Sequence, residues 1–265
     1  MQKLLLNQNN YYSKEANRDY MSVSQFKQAV ECEARAVAEL NGEYSRPNSN
    51  ALTVGSYVHA AFESNEVFNQ FIEDNKKVIV NTRGNKYADF ITADKMIESL
   101  KNDKFAMFAL EGEKESIYTG ELFGIYWKIK VDNINHERKL FSDLKTTQEL
   151  GKRYWSEKYN GWVSFVQAYD YVLQMYVYRE IIFQNTGEYY KPYIVAVTKQ
   201  DPPDKAILHF DDSRFELEKD YVQTYLPSII QAKNSEKEPV RCEKCDYCRS
   251  TKQLKNTFEI EFLLE

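Results

Sequence analysis

Apolar and polar positions divide the chain into a helical first part, a strand-rich middle and a helical end. From Ser22 or Ser24 the stretch QFKQAVECEARAVAEL predicts a helix running to Asn41-Gly42. Ser22 and Gln25 have capping-box spacing, and Asn41-Gly42 is a helix stop. A loop with Pro47 leads to a second predicted helix over 50–64, and further helical stretches follow through 65–110, including 92–103, around a Gly84 turn. Between Ser116 and Thr146 β-branched and aromatic residues take over, with turn signals at Thr119-Gly120 and Asn135-His136. That texture predicts three antiparallel strands, about 113–118, 123–134 and 139–146. A long helix over 162–184, a strand at 193–198, the loop 201–204, a strand near 206–210 and a helix over 216–233 complete the pattern. Helices, a meander, a crossover helix and a returning strand make an α/β core with a mixed sheet flanked by helices.

Composition places this pattern in a soluble globular chain of 265 residues, 43% hydrophobic and 28% charged. That length suits one domain, 1–265, in three parts: a mainly helical 1–110, a sheet and crossover helix over 111–210, and a final helix with a cysteine-rich tail over 211–265. No apolar run reaches the roughly 18 residues that a membrane span needs. The start MQKLLLNQNN has no apolar core of a secretory leader, so the expected location is cytoplasmic. The net charge of −5 counts mildly against nucleic-acid binding, although a cation site concentrates acidic residues. The 20 Tyr and 15 Phe are expected in core and interface packing, with base stacking as a second role for a few.

The meander carries the candidate chemistry. Residues two apart on a strand share a face. In FGIYWKIKVDNI this puts Ile125, Trp127, Ile129 and Val131 on the core side, and Tyr126, Lys128, Lys130 and Asp132 on the other. In LFSDLKTT, Phe141, Asp143 and Lys145 share a face opposite Leu140 and Leu144. A hairpin therefore brings Asp132, Asp143 and Lys145 to one surface. Convergent carboxylates bind a hard cation such as Mg2+ or Mn2+. Such an ion polarises a phosphate and acidifies water, and an ammonium offsets developing charge. An ordinary surface hairpin carries the same charges, so one Asp-x-Lys decides little by itself.

Two helical patterns add to it. GSYVH sets Gly55 and His59 four apart, hence on one face, and His59 is one of only three histidines. A neutral imidazole ligates metals, although a core histidine in an apolar helix is the plainer alternative. QMYVY sets Gln174 and Tyr178 on one face of the crossover helix.

Taken together, GSYVH, KVD, DLKTT and QMYVY resemble, in content and order, the RecB-like branch of the PD-(D/E)xK nucleases. The wider phrasing in YMSVSQFK, ALTVGSYVHAAFE, FGIYWKIKVD, YVLQMYVY and VAVTKQDPPDKA is similar to phage and prophage exonucleases of the exodeoxyribonuclease VIII (RecE) type, over roughly residues 10–255. The resemblance implies a restriction-endonuclease-like core. It implies His59, Asp132, Asp143 and the Leu144 carbonyl as ligands of Mg2+ or Mn2+, and Lys145 as the residue that positions the attacking water. Gln174 and Tyr178 would hold the DNA backbone or brace the site, and Glu113 or Glu115 would approach the metals. The implied activity is exonucleolytic digestion of linear duplex DNA from 5′ ends, leaving 3′ tails for a RecT-like annealing protein. A ring-shaped homo-oligomer goes with it. The start of the first helix, with Ser22, Ser24 and Lys27, is a reasonable cradle for a terminal 5′ phosphate. Another RecB-like endonuclease, a single-strand exonuclease and an idle DNA-binding module are the competing functions.

The four cysteines complete the reading. Cys242, Cys245 and Cys248 lie in CEKCDYC, and Cys32 lies on the first predicted helix. RecB-like nucleases of the AddB type are similar in layout, with one cysteine before the core and three after it around a [4Fe–4S] cluster. Four thiolates also suit zinc, and the short final spacing leaves cluster, zinc and no metal open.

Overall fold

A computed structural model describes residues 3–47, 49–254, 256–257 and 259–263. Eight helices come first: α1 Lys14–Asp19, α2 Val23–Glu31, α3 Glu33–Asn41, α4 Asn50–Glu63, α5 Asn65–Asp74, α6 Lys76–Ile79, α7 Ala88–Lys101 and α8 Lys104–Ala109. The strands β1 Glu113–Leu122, β2 Ile125–Asn135 and β3 Leu140–Thr147 form the meander, and a short hairpin of β4 Tyr154–Ser156 and β5 Gly161–Val163 follows. Next come α9 Phe165–Ala168, α10 Tyr171–Thr186, β6 Lys191–Thr198, β7 Lys205–His209, α11 Arg214–Lys233 and α12 Asp246–Ser250. The chain forms two compact units, one of residues 1–23 and 47–223, the other of residues 24–46 and 224–265.

The larger unit is built on a mixed five-stranded sheet of order β1-β2-β3-β6-β7. β3 and β6 are parallel and every other pair is antiparallel. Leu144, Val195 and Val197 face α4, α7 and α8 and close a core with Tyr57, Phe90 and Met96. Phe141 and Asp143 face the opposite way, toward Tyr178 and Gln174 of α10. The sheet thus has helices on both faces, as the parallel β3–β6 pair requires.

The β2–β3 ladder is short, pairing only Asn135, Ile134 and Asn133 with Leu140, Phe141 and Ser142. Nearer the start of β2, Met21 takes the vacated edge: its N–H donates to the Tyr126 carbonyl, and its own carbonyl accepts from the Lys128 N–H. Lys128, expected on the polar face, is buried. Its ammonium donates to the Tyr11 carbonyl and to Asn17 Oδ1, and burial pulls its pKa down to about 8.

Two predicted helices are interrupted. The one expected from Ser22 or Ser24 to Gly42 breaks at Cys32, which is extended (φ −168°, ψ 105°) and separates α2 from α3. The one expected over 162–184 begins as strand β5, and Asp170 in the left-handed region (φ 53°) separates α9 from α10. The β4–β5 hairpin was not expected.

The smaller unit is knit by Glu33 at the start of α3. Its carboxylate accepts from Ser228 Oγ (2.6 Å), Lys237 Nζ (2.8 Å) and the Val240 N–H (2.9 Å). Burial alone would raise the Glu33 pKa; these donors outweigh it and hold the carboxyl below its usual range.

Candidate active site

The site lies at the fork where β2 and β3 separate. Continuing the Asn133–Ser142 register by one step sets Asp132 level with Asp143. On the other side of β2, Lys114 pairs with Asn133 and Ser116 with Val131, which sets Glu115 level with Asp132. Three acidic residues therefore run across three neighbouring strands. Instead of a ladder bond, Asp132 Oδ2 accepts the Leu144 N–H at 3.0 Å. In an extended strand the N–H and C=O of one residue point to the same side. The Leu144 carbonyl accordingly faces the open fork.

α4 supplies the next group. His59 Nδ1 lies 3.3 Å from Asp132 Oδ2. Burial alone would lower the histidine pKa; Asp132 outweighs it and raises it. Burial likewise acts upward on Asp132, and His59 with Lys145 overcomes it and brings the carboxyl down to about 2. Asp143 is almost fully buried, and that burial raises its pKa. Its Oδ1 accepts from Gln174 Nε2 at 2.5 Å. Lys145 Nζ stands 2.5 Å from Oδ2, so the second oxygen is held in a buried ion pair. Burial would lower the Lys145 pKa, but Asp143 and Asp132 outweigh it and keep the ammonium charged.

The structure thus brings His59, Asp132, Asp143, Leu144, Lys145 and Gln174 together. Tyr178, one turn beyond Gln174, is near enough that burial first, then Tyr11, Asp143 and Asp132, raise its pKa. Glu115 pairs with Lys130 at 2.5 Å beside Asp132, whereas the more exposed Glu113 lies 3.7 Å from His136 Nε2. Glu63 escaped the sequence reading. It stands four residues after His59 on α4, and its charge is felt at Lys114, Glu115 and Lys130. The i, i+4 spacing from His59 was the available signal.

Of the residues considered for a terminal phosphate, Ser22 is buried just before α2, and Ser24 and Lys27 lie in the first turns of α2, in the smaller unit. That unit also gathers the cysteines. The Sγ atoms of Cys32, Cys242, Cys245 and Cys248 all lie within 4.8 Å of one another. Cys32 and Cys248 are 3.5 Å apart, and Cys242 and Cys248 3.9 Å. The Cys245 N–H donates to Cys242 Sγ (3.3 Å) and the Cys248 N–H to Cys245 Sγ (3.5 Å). The break at Cys32 serves this cluster: an extended Cys32 brings its Sγ to Cys248, and the Ala34 N–H released by the break donates to the Val240 carbonyl (3.0 Å).

The sequence profile of a PDDEXK-like domain of unknown function (DUF3799) matches residues 22–251. The chain belongs to this family. A crystal structure from Eubacterium rectale described as "Putative exonuclease" is 38% identical to this PDDEXK-like chain, covers 98% of both chains and superposes with a TM-score of 0.92. The crystal structure of SSO0001 is 15% identical over 85% of this chain and 91% of its own, with a TM-score of 0.29, a likeness that carries no weight. No curated protein matches. The expected α/β fold with its central mixed sheet is the one found. Among the described residues no helix is long and apolar enough to cross a membrane.

PDDEXK-like nucleases typically use divalent metals, and the donor set here fits one. Asp132, Asp143, the Leu144 carbonyl and His59 offer hard oxygen and imidazole ligands around one fork, a donor set suited to a divalent cation.

Proposed function

We propose that this PDDEXK-like chain is a divalent-metal-dependent exodeoxyribonuclease acting on linear duplex DNA from 5′ ends. The observation that supports it most directly is Asp132 and Asp143 level across the fork, with Lys145 against Asp143 and His59 against Asp132. On this reading Asp132, Asp143, the Leu144 carbonyl and His59 hold Mg2+ or Mn2+. A bound ion supplies charge neutralisation at the scissile phosphate and makes water more acidic. Lys145 orients the attacking water and offsets charge on the phosphate. Gln174 fixes the Asp143 rotamer through Oδ1, leaving Oδ2 directed at the reaction. Tyr178 braces the same face.

Polarity, 3′ tails, a RecT-like annealing partner and a ring-shaped oligomer rest on the sequence resemblance. A 5′-phosphate contact from Ser22, Ser24 and Lys27 rests on their place at the start of a helix, and Lys27→Ala tests it through the preference for phosphorylated ends. The deciding assay is linear duplex with Mg2+, labelled at the 5′ or the 3′ end, beside closed circular DNA. Early release of the 5′ label, intact circles and no activity in Asp143→Asn are the expected results. Cleavage of circles would point instead to an endonuclease, and persistent activity in Asp143→Asn would remove the site assignment.

For the cysteines, we propose a single zinc ion. Tetrahedral zinc with bonds of about 2.3 Å sets its sulfurs roughly 3.8 Å apart. The separations of 3.5 and 3.9 Å agree with that. In a [4Fe–4S] cluster each thiolate caps a different iron, which spreads the sulfurs to roughly 6 Å or more. The ion would tie Cys32 to the C-terminal segment, a structural role. Zinc by elemental analysis in a colourless sample is the expected result, and absorption near ~400 nm would restore the cluster.

A further inference from the structure

The β4–β5 hairpin takes no part in the centre described above. It nevertheless carries two of the chain's three tryptophans, and both are exposed, Trp155 at 57% and Trp162 at 65%. Trp127 is fully buried. Trp155 and Trp162 are direct cross-strand partners, with ring centroids 5.9 Å apart and planes at 78°. Tryptophan is normally buried because its ring is a large apolar area, so a paired display of two in water marks a contact surface.

The display is held firmly. On the other face of the hairpin Val163 is buried and Tyr154 packs against Tyr169 at 5.4 Å. In the turn, Lys158 bonds to Asp170 (2.8 Å) and to Glu218, and the Tyr159 hydroxyl donates to Glu218. Glu218 is fully buried, so the turn is anchored in the body of the larger unit.

The hairpin is also connected to the nuclease centre through aromatic rings. Lys145 Nζ lies 4.6 Å over the Tyr171 ring, Tyr171 is 6.0 Å from Tyr169, and Tyr169 leads to Tyr154 next to Trp155. Cations accompany the series: Lys152 lies 5.4 Å over Tyr154, and Lys152 and Arg153 are both exposed. Exposed aromatic faces beside lysine and arginine are how single strands are held without sequence preference, with bases stacked on rings and phosphates against cations. Duplex DNA keeps its base faces covered except at its ends, so successive bases reach the rings only from a single strand.

We propose that the β4–β5 hairpin is a single-strand binding platform beside the nuclease centre, with unpaired bases stacked on Trp155 and Trp162 and their phosphates held by Lys152 and Arg153. This deepens the nuclease reading by naming the nucleic-acid form that the surface takes.

The test uses the full chain carrying Asp143→Asn, without added metal, titrated with an oligothymidylate. Tryptophan emission is expected to be quenched because Trp155 and Trp162 are exposed, and more strongly at low salt because the phosphates meet Lys152 and Arg153. Trp155→Ala with Trp162→Ala is expected to weaken binding at least tenfold by fluorescence anisotropy, and Trp155→Phe with Trp162→Phe to restore most of it. Absence of quenching, or unchanged affinity in the double alanine variant, overturns the proposal. So does a double variant that changes only the oligomeric state in sedimentation, which would make the tryptophans a contact between copies. Because binding is read without hydrolysis, quenching in the Asp143→Asn chain beside a wild-type chain that cuts no DNA with Mg2+ would sink the nuclease reading and leave the platform standing. Cleavage without quenching would do the reverse.

Discussion

Asp132 Oδ2 accepts the backbone N–H of Leu144 at 3.0 Å, at the point where the β2–β3 ladder stops. One carboxylate therefore does two jobs: it replaces a missing ladder bond and it faces His59. The two jobs separate by substitution. Asp132→Asn keeps an oxygen for the Leu144 amide, so stability should change by less than about 1 kcal/mol while nuclease activity falls below detection. Asp132→Ala leaves that amide unsatisfied and should cost about 1–3 kcal/mol in addition. Urea melts beside a Mg2+-dependent digestion assay check both, and an Asp132→Asn chain that still digests DNA removes Asp132 from the ligand set.

Glu63 shares a helical face with His59, and its charge reaches Glu115 and Lys130. If it helps to hold the cation, Glu63→Gln should raise the Mg2+ concentration for half-maximal activity about tenfold and leave the melting temperature within ~2 °C, the scale of a surface change. A metal titration of the cleavage rate is the measurement. An unchanged midpoint would leave Glu63 as a surface charge near the site.

Strand parity was enough to bring Asp132, Asp143 and Lys145 together, because period two and a hairpin are local properties of the chain. His59 is different. Its position depends on how α4 packs on the sheet, through Leu144 and Val195 against Tyr57 and Val58, and no local pattern encodes that. The Cys32 break is hidden for a related reason: the sequence around it is good helix, and the groups that meet Cys32 there, Val240 and Cys248, lie 208 and 216 residues away. The β4–β5 hairpin escaped because its strands are three residues long, too short for alternation to register. Lys128 obeyed parity in direction but not in exposure, since the N-terminal segment covers that face.

The cysteine cluster makes a stability prediction. Cys248→Ser should abolish bound zinc and loosen the smaller unit, where Cys32 and the C-terminal segment meet. With free zinc at a thousand times its Kd, the linked stabilisation is about 4 kcal/mol. Elemental analysis and limited proteolysis check this, with cleavage expected first after residue 233. A variant with unchanged metal content and unchanged proteolysis would end the zinc assignment.

Lys128 predicts a pH dependence. Its folded pKa is about 8, lowered by burial, against about 10.5 in the unfolded chain. Between these values the unfolded state binds more protons at this site than the folded state does. Stability contributed by this group therefore rises with pH from about 8 to about 10.5, and below 8 the burial cost is present in full. Other lysines and tyrosines titrate in the same window, so the quantity to read is a difference. Unfolding free energies from urea melts of the wild type and of Lys128→Met, taken at pH 7.5 and at pH 10, should shift relative to each other in favour of the wild type by about 1–3 kcal/mol. The methionine removes the titrating group and leaves the Tyr11 carbonyl and Asn17 Oδ1 without their donor, a loss that does not vary with pH. Parallel pH profiles for the two proteins would mean that Lys128 keeps an ordinary pKa, and so that water reaches its ammonium behind the N-terminal segment.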